Sequence, residues 1–385
     1  MPTVAVVGAG VGGLTAALAL RAKGIDVEVY EAAPGPRDTG SALGIASNAT
    51  KVLRSLGIDL VTAASCSALE RFEFRTARGA LIRALPGAAI TEALGHPFVS
   101  IHRNELIRAL RDAAADIPIH YGADVVDVGI DRCGARAACA DGADVRAGVL
   151  IGADGIRSVV RSTIAGDRAP SEHGYVLWLA TVCFTHPRMA PGWTGHYWGR
   201  GQRFGLIDIG GGMAYWWGTK NMPADRARGW TGGKADVLAA FDGWAPEVVE
   251  AIGHTPADAI ISVPAEDRPF LEQWGSGPLT LLGDAAHPML TSRSQGASSA
   301  VEDGYVLAEA LARTSNPVEG LRAYEERRRT RARMLVRSSR RLSRVEQAQN
   351  PIACAVRNLG MRCAPSRSLT RQTIRPMRFD LGWTP

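Results

Sequence analysis

The stretch Thr3-Val-Ala-Val-Val-Gly-Ala-Gly-Val-Gly-Gly-Leu14 decides the fold of this chain of 385 residues. Its β-branched run over residues 3–8 predicts a short, buried parallel strand. Apolar side chains at helical spacing predict a helix over residues 11–23, and the alternating segment 26–31 predicts a second strand. Together the three elements form a β-α-β unit of about 30 residues, the usual length of such a unit.

The spacing of three glycines in this stretch predicts a dinucleotide site. Gly8 permits the tight turn after the strand, Gly10 lets the backbone approach a pyrophosphate, and Gly13 lets the helix pack closely against the strand. The N-terminus of the helix then faces the anion. Glu31 closes the second strand, where its carboxylate can accept hydrogen bonds from ribose hydroxyls. The pattern does not distinguish FAD from NAD.

The composition is that of an ordinary globular protein, with 46% hydrophobic and 21% charged residues. These proportions exclude a disordered chain. The six scattered cysteines include no Cys-x-x-Cys pair, which excludes a disulfide scaffold and favours a reducing, cytoplasmic setting. The eight histidines show no metal-ligand spacing, so no metal is predicted. The apolar N-terminus lacks a basic leader and contains several glycines, so it predicts neither a signal peptide nor a membrane span.

The character of the sequence changes after residue 173. Four alternating, aromatic-rich segments lie between residues 173 and 219, separated by Gly and Pro turns, and predict antiparallel strands. The sequence therefore predicts an α/β fold with an α+β insertion, in which a Rossmann-like nucleotide domain is interrupted by a mostly antiparallel β-sheet domain. The expected boundaries are 1–70, 99–172 and 265–315 for the first domain, 71–98 and 173–264 for the second, and 316–385 for a C-terminal helical segment.

A helix predicted after residue 318 carries nine arginines between Arg327 and Arg344. One interpretation is a face that binds nucleic acid or an acidic membrane. The other is a solvated helix docked by its apolar stripe, and we favour it because no aromatic residues interleave with the arginines. We therefore expect no nucleic-acid partner, no membrane span, and a monomer or homodimer.

Two later segments indicate which dinucleotide binds. Residues 152–161 read Gly-Ala-Asp-Gly-Ile-Arg-Ser-Val-Val-Arg after a predicted buried strand. Residues 279–303 contain Leu-Thr-Leu-Leu-Gly-Asp-Ala-Ala-His-Pro, then Ser-Gln-Gly, then Glu-Asp. With the N-terminal glycines, this trio resembles the single-component, FAD-dependent monooxygenases of group A, above all the branch of salicylate hydroxylase-like enzymes and zeaxanthin epoxidase. The order and spacing match over almost the whole chain.

The resemblance implies an FAD-dependent enzyme that consumes NADH or NADPH. It would insert one oxygen atom from O2 into a small aromatic or unsaturated substrate through a flavin C4a-hydroperoxide, by hydroxylation or epoxidation. The sequence leaves open the identity of the substrate and the choice between NADH and NADPH.

The resemblance also implies roles for individual residues. Asp284 would hydrogen-bond the ribityl chain, and Arg103 would contact the cofactor from the helix that follows a strand at 99–101. Asp154 and Gly155 would link the FAD region to the use of NAD(P)H. The loop and helix start at Gln295 would place backbone N–H groups near the flavin pyrimidine. The expected cofactor-binding residues are Gly8, Gly10, Gly13, Glu31, Arg103, Asp154, Gly155, Gly283, Asp284, Gln295, Gly296 and Ala297.

The loop beside the expected flavin departs from the family pattern. Thr291 stands where relatives have proline and Ser294 where they have glycine, and Arg293 adds a cation that can pair with a substrate carbonyl or carboxylate. These changes keep open a second function, an FAD-binding protein that sequesters or oxidises a reactive intermediate without oxygenation. No catalytic residue is fixed by the sequence; the candidates are Arg293, Tyr215 and Gln295. We interpret His287 as a packed, hydrogen-bonded imidazole.

The aromatic strands supply the expected substrate floor, because aromatic side chains offer large, rigid apolar surfaces. Period-two alternation places Met213, Tyr215 and Trp217 on one face and Trp216 on the other. The expected pocket residues are Tyr197, Phe204, Tyr215, Trp217 and Thr291.

Overall fold

A computed structural model describes residues 4–36, 41–132 and 134–382. The described residues form 18 strands and 12 α-helices. The strands are β1 (Val4–Val7), β2 (Val27–Glu31), β3 (Ala42–Ile45), β4 (Cys66–Ala68), β5 (Arg71–Thr76), β6 (Leu81–Pro86), β7 (Val99–His102), β8 (Ile119–Tyr121), β9 (Val125–Asp131), β10 (Gly134–Cys139), β11 (Asp144–Ala147), β12 (Val149–Gly152), β13 (Ser171–Cys183), β14 (Trp193–Trp198), β15 (Gln202–Asp208), β16 (Met213–Asn221), β17 (Ile261–Asp267) and β18 (Leu279–Leu281). The helices are α1 (Val11–Ala22), α2 (Ser47–Ser55), α3 (Ala88–Leu94), α4 (Arg103–Ala113), α5 (Val159–Ala165), α6 (Ala224–Arg228), α7 (Lys234–Ala240), α8 (Pro246–His254), α9 (Gly296–Leu311), α10 (Pro317–Glu346), α11 (Pro351–Cys363) and α12 (Ser366–Ile374).

A five-stranded parallel sheet forms the centre of the nucleotide domain, in the order β18-β12-β1-β2-β8. All four residues of β1 are buried, as the continuous apolar run predicted. Helix α9 lies so close to α1 at Gly304 that a Cβ on this glycine would come within 2.7 Å of the backbone nitrogen of Ala16. The carboxyl ends of distant strands thus meet at one edge, as the predicted Rossmann-like, discontinuous fold requires.

The aromatic segments form a seven-stranded sheet in the order β17-β13-β16-β15-β14-β5-β6. Its neighbours are antiparallel except β14 and β5, which are parallel. One face, which we call the outer face, packs against α7 and α8 in a core that contains Trp178 and Trp216. The opposite, inner face belongs to another core with Tyr215 and Trp217. The predicted alternation along β16 is therefore confirmed.

The strand β7, at Val99–His102, joins neither of these sheets. It pairs with β3 and β4 in a separate antiparallel sheet. In the parallel sheet, the strand next to β2 is β8. Two strands from the segment 71–98, β5 and β6, belong to the large sheet. The domain boundaries themselves stay a prediction.

The arginine-rich helix α10 is docked by ion pairs as well as by its apolar stripe. Arg328 is 1% exposed and contacts the carboxylates of Glu302 and Asp303 on α9. Arg340 donates to Asp267 at 2.5 and 2.9 Å. The expectation of a docked helix is confirmed, but several of its arginines hold the fold together instead of facing solvent. Within the described ranges, no helix combines the length and apolarity needed to cross a membrane.

Candidate active site

The glycine turn after β1 leaves open space where the sequence predicts a pyrophosphate. Gly8 has a φ of 105°, and a Cβ there would lie 2.6 Å from the carbonyl oxygen of Ala153. A Cβ at Gly13 would overlap the carbonyl oxygen of Gly8. A Cβ at Gly10 would meet no atom within 4 Å, so this glycine borders a hollow that a side chain would fill. The three positions therefore have the properties that the motif requires.

Glu31 lies at the carboxyl end of β2, beside the same turn. Its Oε2 accepts a hydrogen bond from the backbone nitrogen of Ala9 at 2.8 Å, and its Oε1 accepts one from Ala33 at 2.9 Å. Each oxygen keeps a lone pair. The backbone thus fixes the carboxylate in an orientation in which it can still accept from ribose hydroxyls.

Asp154 is placed beside the glycine turn, and it also has a local structural role. A Cβ at Gly8 would lie 3.2 Å from its Cα. Its Oδ2 accepts from the backbone nitrogens of Val159 and Val160 at the start of α5, at 2.8 and 3.3 Å. Its Oδ1 is buried and has no partner among the described residues, and burial raises the pKa of the carboxyl group. Gly155 follows with a φ of 79°.

Asp284 brings together two parts of the chain that are far apart in sequence. Its side chain is exposed to solvent, and desolvation by the surrounding protein raises its pKa. Electrostatic interactions with His287 and Arg103 oppose this shift, so Arg103 lies within electrostatic range of the carboxylate. A Cβ at Gly296 would be 3.9 Å from its Oδ1. The predicted ribityl contact, the cofactor arginine and the start of α9 therefore share one site.

A buried network of hydrogen bonds to Asp303 fixes the chain on both sides of Asp284. The backbone nitrogen of Gly283 donates to Oδ2 of Asp303 at 2.9 Å, and Nε2 of His287 lies 2.6 Å from the same oxygen. Burial by itself would raise the pKa of Asp303, but His287 and Arg328 outweigh that effect and hold it well below its ordinary value. The interpretation of His287 as a packed, hydrogen-bonded imidazole is confirmed.

The loop before α9 contains a buried amide with a free donor. Gln295 is 1% exposed, and its Oε1 accepts from Nδ2 of Asn48 at 3.1 Å. Its Nε2 is buried and has no partner in the described chain. Ser294 has a φ of 50°, the one positive value at a non-glycine residue among those described. The short helical turn Thr291–Arg293 precedes it, and the side chain of Thr291 is exposed.

The first turn of α9 offers backbone donors at the same place. Helix α9 runs for 16 residues from Gly296 and has no side-chain cap. The first N–H groups of a helix lack partners within the helix, and the helix dipole favours an anion there. Gly296 and Ala297 therefore lie where the sequence places donors to the flavin pyrimidine.

These residues fit FAD on three independent observations. Gly10 borders open space, the side chain of Asp284 is accessible, and Nε2 of Gln295 is a buried donor with no partner among the described residues. A buried unpaired donor is costly unless a ligand satisfies it. The site thus offers an anion-binding turn, hydrogen-bond acceptors for hydroxyls and an amide donor for a carbonyl.

The inner face of the large sheet supplies an aromatic surface. The ring of Trp217 lies against its own sheet, over Gly205, where a Cβ would overlap the ring. Tyr215 interacts with Ser41, and burial raises its pKa well above the ordinary value. The phenol is therefore protonated at neutral pH and can donate a hydrogen bond.

Two expected pocket residues lie on the wrong face of the sheet. Tyr197 is fully buried in the outer core, where its hydroxyl donates to Oε1 of Glu247 at 2.7 Å. Phe204 stacks on Trp216 with ring centroids 5.4 Å apart. Helices α7 and α8 cover this face, so neither side chain can line a pocket on the inner face. The assignment of Tyr197 and Phe204 to the substrate pocket is wrong.

The structure adds a residue that the sequence analysis missed. Arg203 is 2% exposed, forms an ion pair with Glu346, and places its guanidinium 4.9 Å from the ring centroid of Trp217. Its Nε and Nη2 are buried without partners among the described residues. Alternation along β15 puts Arg203 on the inner face and Phe204 on the outer face. An arginine inside an apolar strand was the sequence signal that could have identified Arg203.

Charges around Arg203 make this corner of the inner face strongly cationic. Burial, and then the positive charge of Arg203, lower the pKa of His196 to about 4. Burial also lowers the pKa of Arg293, an effect that the negative charge of Glu346 opposes. The Nε of Arg293 is another buried donor without a partner in the described ranges. Arg203 is ion-paired with Glu346, Arg293 is within electrostatic range of the same carboxylate, and both arginines keep donors free for an anionic ligand.

Comparisons with known proteins agree with this geometry. A family model described as an FAD binding domain matches residues 1–339. The aurachin C monooxygenase/isomerase of Stigmatella aurantiaca is 34% identical over 377 residues, which cover 98% of each chain. An FAD-dependent urate hydroxylase of Klebsiella pneumoniae is 31% identical over 340 residues, covering 87% of this chain and 88% of the relative. The structure of Klebsiella pneumoniae HpxO with FAD and uric acid has a TM-score of 0.89 at 27% identity, covering 97% of this chain and 96% of that chain.

Proposed function

We propose, from the premise that this chain belongs to the FAD binding domain family and is an FAD-dependent monooxygenase of group A, that it inserts one oxygen atom of O2 into a planar, anionic aromatic substrate. One observation carries the proposal. The carboxyl edge of the parallel sheet collects the glycine turn, Asp284 and the start of α9, and two arginines keep free donors, Arg203 on the aromatic inner face and Arg293 in the turn before α9.

The residues of this chain divide the work between cofactor and substrate. The turn at Gly8 and the N-terminus of α1 would hold the diphosphate, and Glu31 and Asp284 would accept hydrogen bonds from hydroxyls of the ribose and the ribityl chain. Bound FAD, reduced by NADH or NADPH, supplies the activation of O2 for transfer of one oxygen atom. The start of α9 and Nε2 of Gln295 would stabilise negative charge on the flavin ring.

The substrate class follows from the inner face. Trp217 and Tyr215 offer flat apolar surface to an aromatic ring, and the Tyr215 phenol can donate a hydrogen bond. Arg203 and Arg293 would bind an ionised oxygen of that ring, a phenolate, enolate or carboxylate. Urate, named in one relative, is such a planar anion. The ion pair between Arg203 and Glu346 orients the guanidinium against Trp217.

The direct test is to screen planar aromatic anions for compounds that accelerate reduction of the bound flavin by NADH or NADPH. A compound that does so should yield a product heavier by about 16 Da. A yellow protein that oxidises no reduced nicotinamide with any compound would instead support sequestration. Release of peroxide without a product of higher mass would indicate an oxidase.

A variant tests the role of the cationic corner. Arg203→Met should raise KM for an active anionic substrate by roughly 10–100-fold, because a charge-assisted hydrogen bond is lost. The KM for its neutral, O-methylated analogue should change little, and Arg203→Lys should restore part of the affinity. Arg226→Met, an exposed arginine on α6, is the matched control. Equal losses for the anion and the neutral analogue would exclude charge recognition.

A further inference from the structure

Helix α11 presents the most exposed large apolar side chains of the described chain. Ile352 is 72% exposed, Val356 64% and Leu359 60%. Their spacing of four and three residues places them within about 60° of one another on the helix surface. They form one stripe, which we call the α11 stripe. Other exposed large apolar residues do not exceed 53%.

The inner side of the same helix is fixed to the protein. Cys354 and Arg357 are buried, and Arg357 donates to the carbonyl oxygens of Glu346 and Gly199 at 3.0 and 3.1 Å. Its guanidinium lies 5.0 Å from the ring centroid of Trp198. The helix is therefore firmly anchored, and the stripe faces outward because of this anchoring.

The chain segment that contains the stripe carries positive charge only. The segment 347–379 contains six arginines and neither aspartate nor glutamate. One of the six, Arg357, is the buried anchor, and the remaining arginines are exposed. Arg362 lies on α11 itself, three residues after Leu359, and α12, which carries Arg367 and Arg371, begins three residues after α11 ends. The exposed members are Arg362, Arg367, Arg371, Arg375 and Arg378.

We propose that the α11 stripe and these arginines form a docking surface for an anionic phospholipid bilayer. Aliphatic side chains beside arginines, on a helix lying flat on the protein, have the composition of an interfacial membrane anchor. Anionic headgroups would pair with the arginines, and the acyl boundary would cover the stripe. A second copy of the chain fits less well because it would bring the same positive charges, and nucleic acid would leave the apolar side chains uncovered.

A cavity lies directly behind the α11 stripe. The inner side of α11, with Cys354, Arg357 and Asn358, lines a cavity of about 330 Å³ that also includes Trp198 and Trp244. Trp198 is tilted against Phe74, a residue of the inner-face core. A bilayer held at α11 would thus lie beside this cavity, and Trp198 in the cavity wall contacts the inner-face core. The docking itself does not depend on the proposed function.

The test is flotation of the FAD-loaded protein with vesicles at low salt. Vesicles of equal phosphatidylglycerol and phosphatidylcholine should bind the protein at least tenfold better than phosphatidylcholine alone. Salt at 0.5 M should weaken the binding severalfold. The triple variant Ile352→Ser, Val356→Ser and Leu359→Ser should lose at least tenfold in partition coefficient. The matched control Val61→Ser, Val126→Ser and Ile130→Ser changes three apolar residues of 50–53% exposure and should bind normally.

A second triple variant tests the charge. Arg367→Gln, Arg371→Gln and Arg375→Gln should also lose at least tenfold and should lose the salt dependence. A normal flavin spectrum shows that each variant is folded. Binding of the α11 triple at wild-type level, or equal binding to neutral and anionic vesicles, overturns the proposal. A wild-type dimer that the α11 triple converts to a monomer would identify a second copy as the occupant, and binding to RNA without vesicle binding would identify nucleic acid.

Discussion

Asp284 is the residue on which the cofactor site depends most. Its side chain is accessible near the start of α9, and its pKa is raised by desolvation in the surrounding protein. Asp284→Ala should weaken FAD binding roughly 10–100-fold, because a hydrogen bond to a charged acceptor contributes about 1.5–3 kcal/mol. The dissociation constant, measured by titration of the apoprotein with FAD, checks this. Asp284→Asn should keep part of the affinity, and an unchanged constant for Asp284→Ala would show that the second motif is misplaced.

The buried imidazole of His196 makes the stability of the fold depend on pH. Its pKa is lowered to about 4 by burial and by Arg203, whereas in the unfolded chain it is about 6.5. Between these values the unfolded state binds one more proton, so stability rises with pH from about 4 to 6.5 and is lost as pH falls. The full effect is at most about 3 kcal/mol. His196→Phe should stack on Phe74 as His196 does and should flatten this part of the stability curve.

The measurement for His196 is thermal unfolding of the FAD-loaded protein at several pH values between 4 and 7.5. Carboxylates titrate in the same range, and subtracting the curve of the variant from that of the wild type removes their contribution. Parallel curves for the two proteins would mean that the imidazole titrates normally in the fold.

The residues of the site could be predicted from sequence to different degrees for physical reasons. The glycine turn and Glu31 have a fixed spacing along a β-α-β unit, so local geometry alone places them. Alternation along one strand correctly separated Tyr215 and Trp217 from Trp216. Tyr197 could not be assigned in this way, because alternation does not tell which face of a sheet helices such as α7 and α8 will cover.

At the scale of elements, α10 is joined to α9 by a buried charge network. Arg328 contacts Glu302, Asp303 and the hydroxyl of Ser299. Arg328→Met should lower the free energy of unfolding by about 3–5 kcal/mol, because it removes a charged partner from two buried carboxylates at once. Arg337→Met, an exposed arginine on the same helix, should change it by less than about 0.5 kcal/mol.

Denaturant unfolding of both variants with FAD bound measures these free energies. A loss for Arg328→Met that matches the loss for Arg337→Met would show that the network does not secure α10. The pKa of Asp303 adds a pH dependence. Because it lies below its ordinary value, the network stabilises the fold above that value and loses this contribution as pH falls toward the lowered pKa.

Elements could be predicted more completely than their partners. Periodicity located the ends of β1 and α1 within one residue and the start of α10 within two residues of the observed positions. Strand β7 was expected from its β-branched residues, but its pairing with β3 and β4 was not, because pairing depends on contacts between distant parts of the chain. The arginines of α10 suggested a solvated face, but Glu302 lies 26 residues from Arg328 in sequence, and Asp267 lies 73 residues from Arg340.

At the scale of the whole molecule, FAD would connect segments that are separate in the chain. The glycine turn, Arg103, Asp154 and Asp284 come from four regions between residues 8 and 284. A ligand that binds only the folded state stabilises it by RT ln(1 + [L]/Kd). FAD at 100 times its Kd should therefore add about 2.7 kcal/mol. For a chain of this length the midpoint should rise by about 3 °C.

The variant Glu31→Ala distinguishes a loss of FAD binding from a loss of stability of the protein itself. The Glu31 side chain is partly exposed and accepts hydrogen bonds only from the backbone nitrogens of Ala9 and Ala33 among the described residues. Its loss should lower the midpoint of the apoprotein by about 1–2 °C. The rise on adding FAD, measured by thermal unfolding at one fixed FAD concentration, should shrink much more because Kd increases. If the apoprotein loses as much as the FAD-loaded protein, Glu31 acts on the turn and not on the ribose.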